Sequence, residues 1–291
     1  SKILALQVSS SPLIVDLVMQ KFFNVQSLNS AYKVTIGSDL LGDILSDNPD
    51  AIYIVDDFFE ARLSSKLKKV IFIEAVEGNK SLEKMPEFIA RLRDLNATRG
   101  THIISIGGGI IQDITTFVAS IYMRGLTWTY LPTTLLGMSD SCIGGKSSIN
   151  AAGYKNLVGN FYTPDEVIID TQFIETLSDE MVVGGLYEAS KICFAHGKAK
   201  FEEFNQMGPA HNMSAKSARD ILHLSLLTKK WFIETDEFDK NERLLLNYGH
   251  TFGHALEAAS DFSVSHGIGV GAGMLIAGCF ARHKGILNET G

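Results

Sequence analysis

The sequence predicts an α/β region with a mostly parallel sheet, followed by an all-α region. Short runs rich in β-branched residues alternate with helical stretches from Tyr32 to about Asp170. Such alternation is typical of parallel strands covered by helices on both faces. After about Thr171 the β-branched runs fade and long helical patterns take over. A chain of 291 residues is long enough to bury a core in both regions.

The elements follow from these patterns in chain order. Strands are predicted at residues 32–36, 51–55, 69–73, 102–106, 127–131 and 167–169. Helices are predicted between them at 40–46, 82–95 and 113–120, and in the second region at 178–195, 215–233, 242–260 and 267–284. We therefore predict a Rossmann-like α/β domain over 32–172 and a helical domain over 173–291. Residues 1–31 form an N-terminal extension of unknown role, with one helix predicted at 14–23.

Composition narrows the class of partner. A formal net charge of −7, without a dense run of Lys and Arg, argues against a nucleic-acid-binding face and favours a small-molecule substrate. Cys142, Cys193 and Cys279 are too few and too widely spaced for a disulfide framework, so we expect reduced thiols and a cytoplasmic location. The first residues do not resemble a signal peptide, and no segment predicts a membrane span.

A histidine pair is the most informative local pattern. His250 and His254 are four residues apart, on one face of a predicted helix, and His266 follows. Neutral imidazoles are common metal ligands, so this pattern indicates a metal site, with ordinary core or surface histidines as the alternative. Thr251 stands where an HExxH protease would carry its general base, so a carboxylate must come from elsewhere. Glu188, three residues before Lys191, is the candidate, and a solvated ion pair is its alternative interpretation.

Glycine-rich turns at strand ends indicate anion binding. The residues Gly107-Gly108-Gly109 follow a predicted strand and enter a helix, where backbone N–H groups favour a phosphate. Gln112 breaks the Rossmann fingerprint, and a plain strand-to-helix turn is the alternative. Thr133 and Thr134 end another strand at the same predicted edge.

A second glycine turn precedes a lysine. The residues Gly144-Gly145-Lys146-Ser147 resemble a P-loop but lack its first glycine, which disfavours nucleoside triphosphate binding. Lysine beside glycines still suits a substrate phosphate or another anion, since a flexible point charge can reach it. A surface loop with incidental charges is the alternative.

These motifs in this order resemble the sugar phosphate cyclases, above all the 3-dehydroquinate synthase family, over roughly residues 32–283. The resemblance is carried by several long motifs, which are 107–113, 122–125, 132–136, 140–146, 155–156 and 247–254. It implies an NAD-binding N-terminal domain, a helical metal-binding domain and an active site between them. It also implies a homodimer, and a sugar phosphate that undergoes transient oxidation, phosphate elimination, re-reduction and aldol closure.

The resemblance also implies roles for individual residues. The metal, zinc or cobalt, would be held by Glu188, His250 and His266, which leaves an acid–base or substrate-binding role for His254. Lys146, Asn156 and Lys191 match residues on the phosphate side, and Arg124 matches one that reaches in from a partner subunit. Lys229 and Arg243 match the pair that meets the substrate carboxylate. The NAD-binding matches are Glu77, Lys80, Gly108, Gly109, Asp113, Thr133, Thr134, Asp140 and Lys155, with Asp56 an additional candidate for the adenosine ribose.

Three departures from the family pattern stand out. Gln112 replaces a glycine, which predicts altered packing beside the pyrophosphate. Ile268 replaces the glutamate of His-Gly-Glu, which predicts weaker orientation of a metal ligand. The family also carries C-terminal helices and a substrate-binding lysine beyond the point matched by Gly291.

Four functions remain open at the level of sequence. The first is 3-dehydroquinate synthase activity, which the Lys229–Arg243 pair favours because a substrate without a carboxylate would leave two cations unneutralised. The second is a sister cyclase that acts on sedoheptulose 7-phosphate or glucose 6-phosphate. The third is a metal-dependent polyol dehydrogenase that releases NADH. The fourth is a binding protein that has lost catalysis.

Overall fold

The computed structural model describes residues 20–28, 30–261 and 263–287. Within them, seven strands form one sheet in the spatial order β1-β2-β9-β6-β5-β3-β4, and every neighbouring pair is parallel except β1 and β2. The strands are β1 Lys21–Gln26, β2 Ala31–Gly37, β3 Ile52–Asp56, β4 Val70–Ile73, β5 Ile103–Gly107, β6 Trp128–Pro132 and β9 Glu166–Asp170, and a separate antiparallel pair is formed by β7 Ile149–Ala151 and β8 Tyr154–Val158.

Central strands are buried along their whole length. Every residue of β5 and β6 is buried, as expected for parallel strands that are covered on both faces. The helices of the sheet region are α1 Leu41–Asp47, α2 Glu60–Leu63, α3 Met85–Asp94 and α4 Gly109–Ile121. All six predicted strands and the three predicted helices of this region are confirmed, with ends that differ by a few residues.

The strand order creates a crevice at one position. The chain runs outward from β3 to β4, whereas β5 lies on the other side of β3 and leads to β6. Loops that leave β3 and β5 therefore diverge, and ligands of open α/β sheets bind at such a switch point, outside the carboxyl ends of the strands. The carboxyl end of β3 carries Asp56, and that of β5 carries the turn Gly107-Gly108-Gly109. The fold thus directs attention to this edge.

The second region is helical, as predicted. Its helices are α5 Asp179–His196, α6 Lys198–Gln206, α7 Ala215–Thr235, α8 His250–Ala259 and α9 His266–His283. One predicted helix, 242–260, is divided: a 3₁₀ segment at Glu242–Asn247 ends at Tyr248, and α8 begins after Gly249. Gly249 adopts a left-handed φ of 84°, which favours glycine and interrupts the helix.

The N-terminal prediction needs correction. The helix predicted at 14–23 is wrong for residues 21–23, which belong to β1, and residues 14–19 lie outside the described part. Side chains of β1 alternate between more and less exposed positions, and the strand pairs with β2 over six residues. Antiparallel pairing with the next strand along the chain outweighed the helical pattern. The sheet therefore already includes residues assigned to the 1–31 extension.

The two regions share one hydrophobic core. Buried side chains of the sheet, such as Ile106 and Leu131, belong to the same cluster as Leu186 and Ala189 of α5. The π-helical turn Gly137–Ser141 joins the regions directly, because Ser139 Oγ donates to the carbonyl of Gly185 at 3.1 Å. Among the described residues, no helix has both the length and the hydrophobicity that a membrane crossing needs.

Facing glycines bring α5, α8 and α9 into backbone contact. An ideal Cβ on Gly267 of α9 would lie 2.5 Å from the Cα of Gly184 in α5. An ideal Cβ on Gly273 would lie 2.1 Å from the carbonyl oxygen of Gly249. Since real Cβ atoms do not approach backbone so closely, only glycine allows this separation of the helices.

We expect Gly273→Ala to lower the free energy of unfolding by about 1–3 kcal/mol, because no flexible side chain can yield to the added methyl group. Urea denaturation measures this. The control is Gly42→Ala in α1, where an ideal Cβ meets nothing within 4 Å. It should raise the free energy of unfolding by up to about 1 kcal/mol. Equal transition midpoints for the two variants would contradict the packing argument.

Candidate active site

Three histidines converge where α8 meets α9. His250 and His254 lie one turn apart on α8, and His266 is the first residue of α9. Each offers a ring nitrogen, and the three nitrogens lie within 4.8 Å of one another. The ring centroids are 5.1, 5.4 and 5.6 Å apart. The structure therefore brings together all three histidines that the sequence singled out.

Glu188 of α5 lies next to this histidine cluster. Its side chain is 1% exposed, and one carboxylate oxygen, Oε2, forms an ion pair with Lys191. The other oxygen, Oε1, lies 3.7 Å from His266 Nε2 and has no hydrogen-bond partner among the described residues. The Glu188–Lys191 pair is thus buried, and its alternative interpretation as a solvated surface pair is wrong.

The cluster is suited to a divalent cation. Like Glu188 Oε1, the buried His250 Nδ1 lacks a hydrogen-bond partner in the described part of the chain. Unpartnered buried polar atoms are costly unless something outside the chain satisfies them. Burial, followed by the charge of Lys191, lowers the pKa of His250 to about 3, so its imidazole is neutral and able to act as a ligand. Two donor sets fit: three imidazoles, or Glu188 with His250 and His266.

A second group of charged residues, near the histidine cluster, consists of Lys229, Asp140 and Arg243. Lys229 Nζ is 2.6 Å from Asp140 Oδ1 and also donates to the backbone carbonyls of Asp140 and Ile143. Burial by itself would raise the pKa of Asp140, but Lys229 and Lys191 together lower it below its usual range. The Arg243 guanidinium is close enough to lower the pKa of Lys229, although burial lowers it more. The two cations that the sequence predicted as a pair are therefore neighbours, with Lys229 held by Asp140 and the Arg243 guanidinium by the carbonyl of Glu237.

The glycine turn lies at the switch point, as expected. Thr133 N donates to the carbonyl of Gly107 at 3.0 Å, which ties the ends of β5 and β6 together. A Cβ on Gly108 would lie 2.8 Å from Thr134 Cγ2, whereas one on Gly109, the first residue of α4, would meet nothing within 4 Å. Open space in front of a 13-residue helix start is suited to a phosphate group.

Gln112 does not fill that space. Its side chain is buried and exchanges two hydrogen bonds with Ser141, whose Oγ lies 2.6 Å from Gln112 Oε1. The replacement of a glycine therefore anchors α4 to the π-helical turn, instead of narrowing the crevice.

Other predicted residues gather around Lys80. Its Nζ lies 3.2 Å from Asp113 Oδ2, 3.0 Å from Asn156 Oδ1 and 3.7 Å from Glu77 Oε1. Burial raises the pKa of Asp113 to about 6, although Lys80 opposes this. Asn156, predicted on the phosphate side, instead contacts the residues predicted to bind the dinucleotide. Lys155 and Glu77, both predicted to bind NAD, lie together, with Lys155 Nζ 4.0 Å from Glu77 Oε1.

The last two predicted cations, Lys146 and Arg124, have different surroundings. Lys146 Nζ pairs with Asp239 Oδ2 at 2.5 Å and lies 5.9 Å from the ring centre of Phe161. Arg124 is exposed, in a turn where Met123, Arg124 and Gly125 all have positive φ.

Two carboxylates beside the predicted site residues had no role in the sequence-based predictions. Asp239 is the partner of Lys146, and no local pattern indicates it. Glu257 Oε1 lies 2.9 Å from His266 Nδ1, so a carboxylate contacts this histidine although Ile268 replaces the glutamate of the family motif. A signal for Glu257 was present, because it falls on the α8 face shared with His250 and His254.

The fold, the histidine cluster and the comparisons that follow place the chain in the class of the sugar phosphate cyclases. The structure is similar to that of 2-deoxy-scyllo-inosose synthase complexed with carbaglucose-6-phosphate, NAD+ and Co2+, with a TM-score of 0.83 and 25% identity. That similarity covers 93% of this chain and 79% of the other.

Sequence comparisons identify the family within this class. Residues 70–184 match the family model described as 3-dehydroquinate synthase N-terminal, and residues 185–291 match 3-dehydroquinate synthase C-terminal. A 3-dehydroquinate synthase of Sulfurisphaera tokodaii is 34% identical over 92% of this chain and 78% of its own length. A 3-dehydroquinate synthase of Dehalococcoides mccartyi is 37% identical over 89% of this chain and 77% of its own length. The chain belongs to the 3-dehydroquinate synthase family, and it is an enzyme.

We expect Asp140→Asn to lower the free energy of unfolding by about 3 kcal/mol at pH 7, because Lys229 is left buried without a counter-charge. The folded pKa of Asp140 lies below its unfolded value of about 3.9, so its contribution is present above about pH 4 and is lost as the pH falls. The difference between wild type and variant should therefore shrink in acid, as measured by urea denaturation across pH.

The matched control is Glu203→Gln, which breaks the more exposed Lys200–Glu203 pair of 2.7 Å. An exposed pair contributes little, so the change should stay below about 0.5 kcal/mol. If both variants lost the same stability at pH 7, the structural role of the Asp140–Lys229 pair would be refuted.

Proposed function

We propose that the chain converts 3-deoxy-D-arabino-heptulosonate 7-phosphate to 3-dehydroquinate and phosphate, as a cytoplasmic enzyme of the shikimate pathway. The observation that carries the proposal is the buried, unpartnered Glu188 Oε1 facing His266 Nε2 at 3.7 Å, in a chain of this family. Curated relatives that are 34–37% identical over most of their length bear the name of this activity.

The donor set proposed for the metal is Glu188, His250 and His266, with His254 left for proton transfer. Glu188 Oε1 is buried without a hydrogen-bond partner, which costs free energy, and a cation beside it would remove that cost. His254 has no such unpartnered buried atom among those found in the described residues. His254 is the most exposed of the three imidazoles and therefore the one a substrate can reach. One carboxylate and two imidazoles leave coordination positions open, as in catalytic sites.

NAD is proposed to bind at the glycine turn. Support comes from the open space before Gly109, the switch point of the sheet and the NAD+ of the similar 2-deoxy-scyllo-inosose synthase complex. When bound, NAD supplies transient oxidation and re-reduction of a ring carbinol, while zinc or cobalt polarises the carbinol oxygen. We further propose that residues 32–172 form the dinucleotide domain and 173–291 the metal and substrate domain.

The chain's own residues supply the remaining steps. Burial lowers the pKa of His254, so a neutral imidazole is available at neutral pH to accept a proton. Lys229 and Arg243 are proposed to bind the substrate carboxylate, where a guanidinium binds through two parallel hydrogen bonds. Lys146, Asn156 and Lys191 are proposed on the phosphate side. For Lys146 this requires exchange of its Asp239 partner for the substrate anion.

The decisive assay incubates the protein with NAD, Zn2+ or Co2+, and 3-deoxy-D-arabino-heptulosonate 7-phosphate. We expect release of inorganic phosphate without net NADH, because the oxidised intermediate is reduced again in the same turnover. Omission of NAD or addition of a chelator should abolish release. Turnover of sedoheptulose 7-phosphate or glucose 6-phosphate instead would identify a sister cyclase, and NADH accumulation would identify a polyol dehydrogenase.

Two variants separate the ligand roles in the same assay. Glu188→Gln should lose both bound metal and turnover, whereas His254→Gln should retain metal and lose about 10²-fold or more in kcat. Bound metal is measured after gel filtration by atomic emission. Loss of metal from His254→Gln, with retention by Glu188→Gln, would favour the donor set of three imidazoles.

The functional unit is proposed to be a homodimer in which Arg124 acts in the site of the partner subunit. Support comes from its exposed position in a turn with three successive residues of positive φ, a conformation that costs free energy in the isolated chain.

Mixed dimers test this arrangement. Arg124→Ala and His254→Gln should each be nearly inactive alone, and activity should return after they are mixed through partial denaturation. A hybrid dimer then contains one site with both an intact His254 and an intact Arg124. Recovery would be absent if both residues acted within one subunit, and a monomer in sedimentation analysis would also refute the proposal.

A further inference from the structure

His266 is held between two carboxylates through its two ring nitrogens. Nδ1 lies 2.9 Å from Glu257 Oε1, and Nε2 lies 3.7 Å from Glu188 Oε1. An ionised carboxylate only accepts hydrogen bonds, so the hydrogen bond to Glu257 requires the proton on Nδ1. In the neutral ring, the lone pair of Nε2 then points toward the unpartnered oxygen of Glu188. Two electron-rich atoms that face each other suit a cation between them.

The packing of α8 against α9 places Glu257 Oε1 within hydrogen-bond distance of His266 Nδ1. Glu257 is buried on α8, and His266 begins the neighbouring α9. An ideal Cβ on Gly269 would lie 3.3 Å from Glu257 Cγ and 3.4 Å from Oε1. Gly269 itself lies against the backbone of Gly253, so a larger residue at 269 would press on the side chain of Glu257. The carboxylate is therefore confined beside Nδ1.

We propose that Glu257 is a positioning residue that fixes His266 in the Nδ1–H tautomer, aims Nε2 at the metal and thereby tightens metal binding. This inference rests on the metal site of the proposed function. Carboxylates that orient a ligating histidine typically change metal affinity by about 10–100-fold when removed. Glu257 has this effect through His266, without contact to the substrate.

A cobalt titration of the metal-free protein, followed by visible absorption, compares three proteins. We expect Glu257→Gln to weaken Co2+ binding by about 10–100-fold relative to wild type, since a neutral amide holds the tautomer less firmly. The matched control is Glu180→Gln, an exposed carboxylate that accepts from Ser265 Oγ at 2.7 Å, one residue before His266. Its Co2+ affinity should stay within about twofold of wild type.

A second measurement reads the tautomer of His266 in the wild type and compares it with that in Glu257→Gln. In ¹⁵N-histidine NMR of the metal-free protein, with His266 assigned through His266→Gln, we expect the Nδ1–H form. Glu257→Gln should shift this population toward Nε2–H. A purely structural role for Glu257 would leave the tautomer unchanged.

The outcomes are distinguishable. Two results would overturn the role of Glu257 and leave the proposed function intact. One is Co2+ binding by Glu257→Gln with the affinity of the wild type, and the other is an Nε2–H tautomer of His266 in the wild type. Absence of Co2+ binding by wild type would overturn the metal site of the proposed function, and this inference with it.

Discussion

Close contact between three helices is the constraint on which the candidate site depends. Glycines face each other where α5, α8 and α9 meet, so the helices approach at backbone distance. That distance brings ring nitrogens of His250 from α8 and His266 from α9 within 4.8 Å of each other, and it places Glu188 Oε1 from α5 3.7 Å from His266 Nε2. Larger side chains at the contacts would move the donors apart, because a packed interior cannot absorb an added methyl group without displacement.

The electrostatics of the site are arranged around partnered buried charges. Glu188 is paired with Lys191, and Asp140 with Lys229, so each of these four charges has a counter-charge. Four buried side-chain atoms of the described residues lack a hydrogen-bond partner, and two of them, Glu188 Oε1 and His250 Nδ1, belong to the histidine cluster and its neighbour. A cation bound there would satisfy bonding capacity that the chain itself leaves unused.

The two regions contribute to one site because they share a core and a connecting turn. The Gly137–Ser141 turn carries Asp140 toward Lys229 of α7, and Ser139 binds the backbone of α5. Lys155, beside the residues predicted to bind the dinucleotide, is close enough to influence the pKa of His254. Proximity between the sheet edge and the histidines is what a reaction that needs both a dinucleotide and a metal requires.

The sequence by itself determined the alternation of strands and helices, the helical second region and the histidine and glycine motifs, because these depend on periodicity and on neighbours along the chain. Tertiary structure alone decided that Lys21–Gln26 is a strand, that Glu257 orients His266 and that Asp239 holds Lys146. Packing between elements decides which side chains Glu257 and Asp239 meet, and Lys21–Gln26 is a strand because it hydrogen-bonds to the adjacent β2, a pairing that the helical period of 14–23 does not indicate.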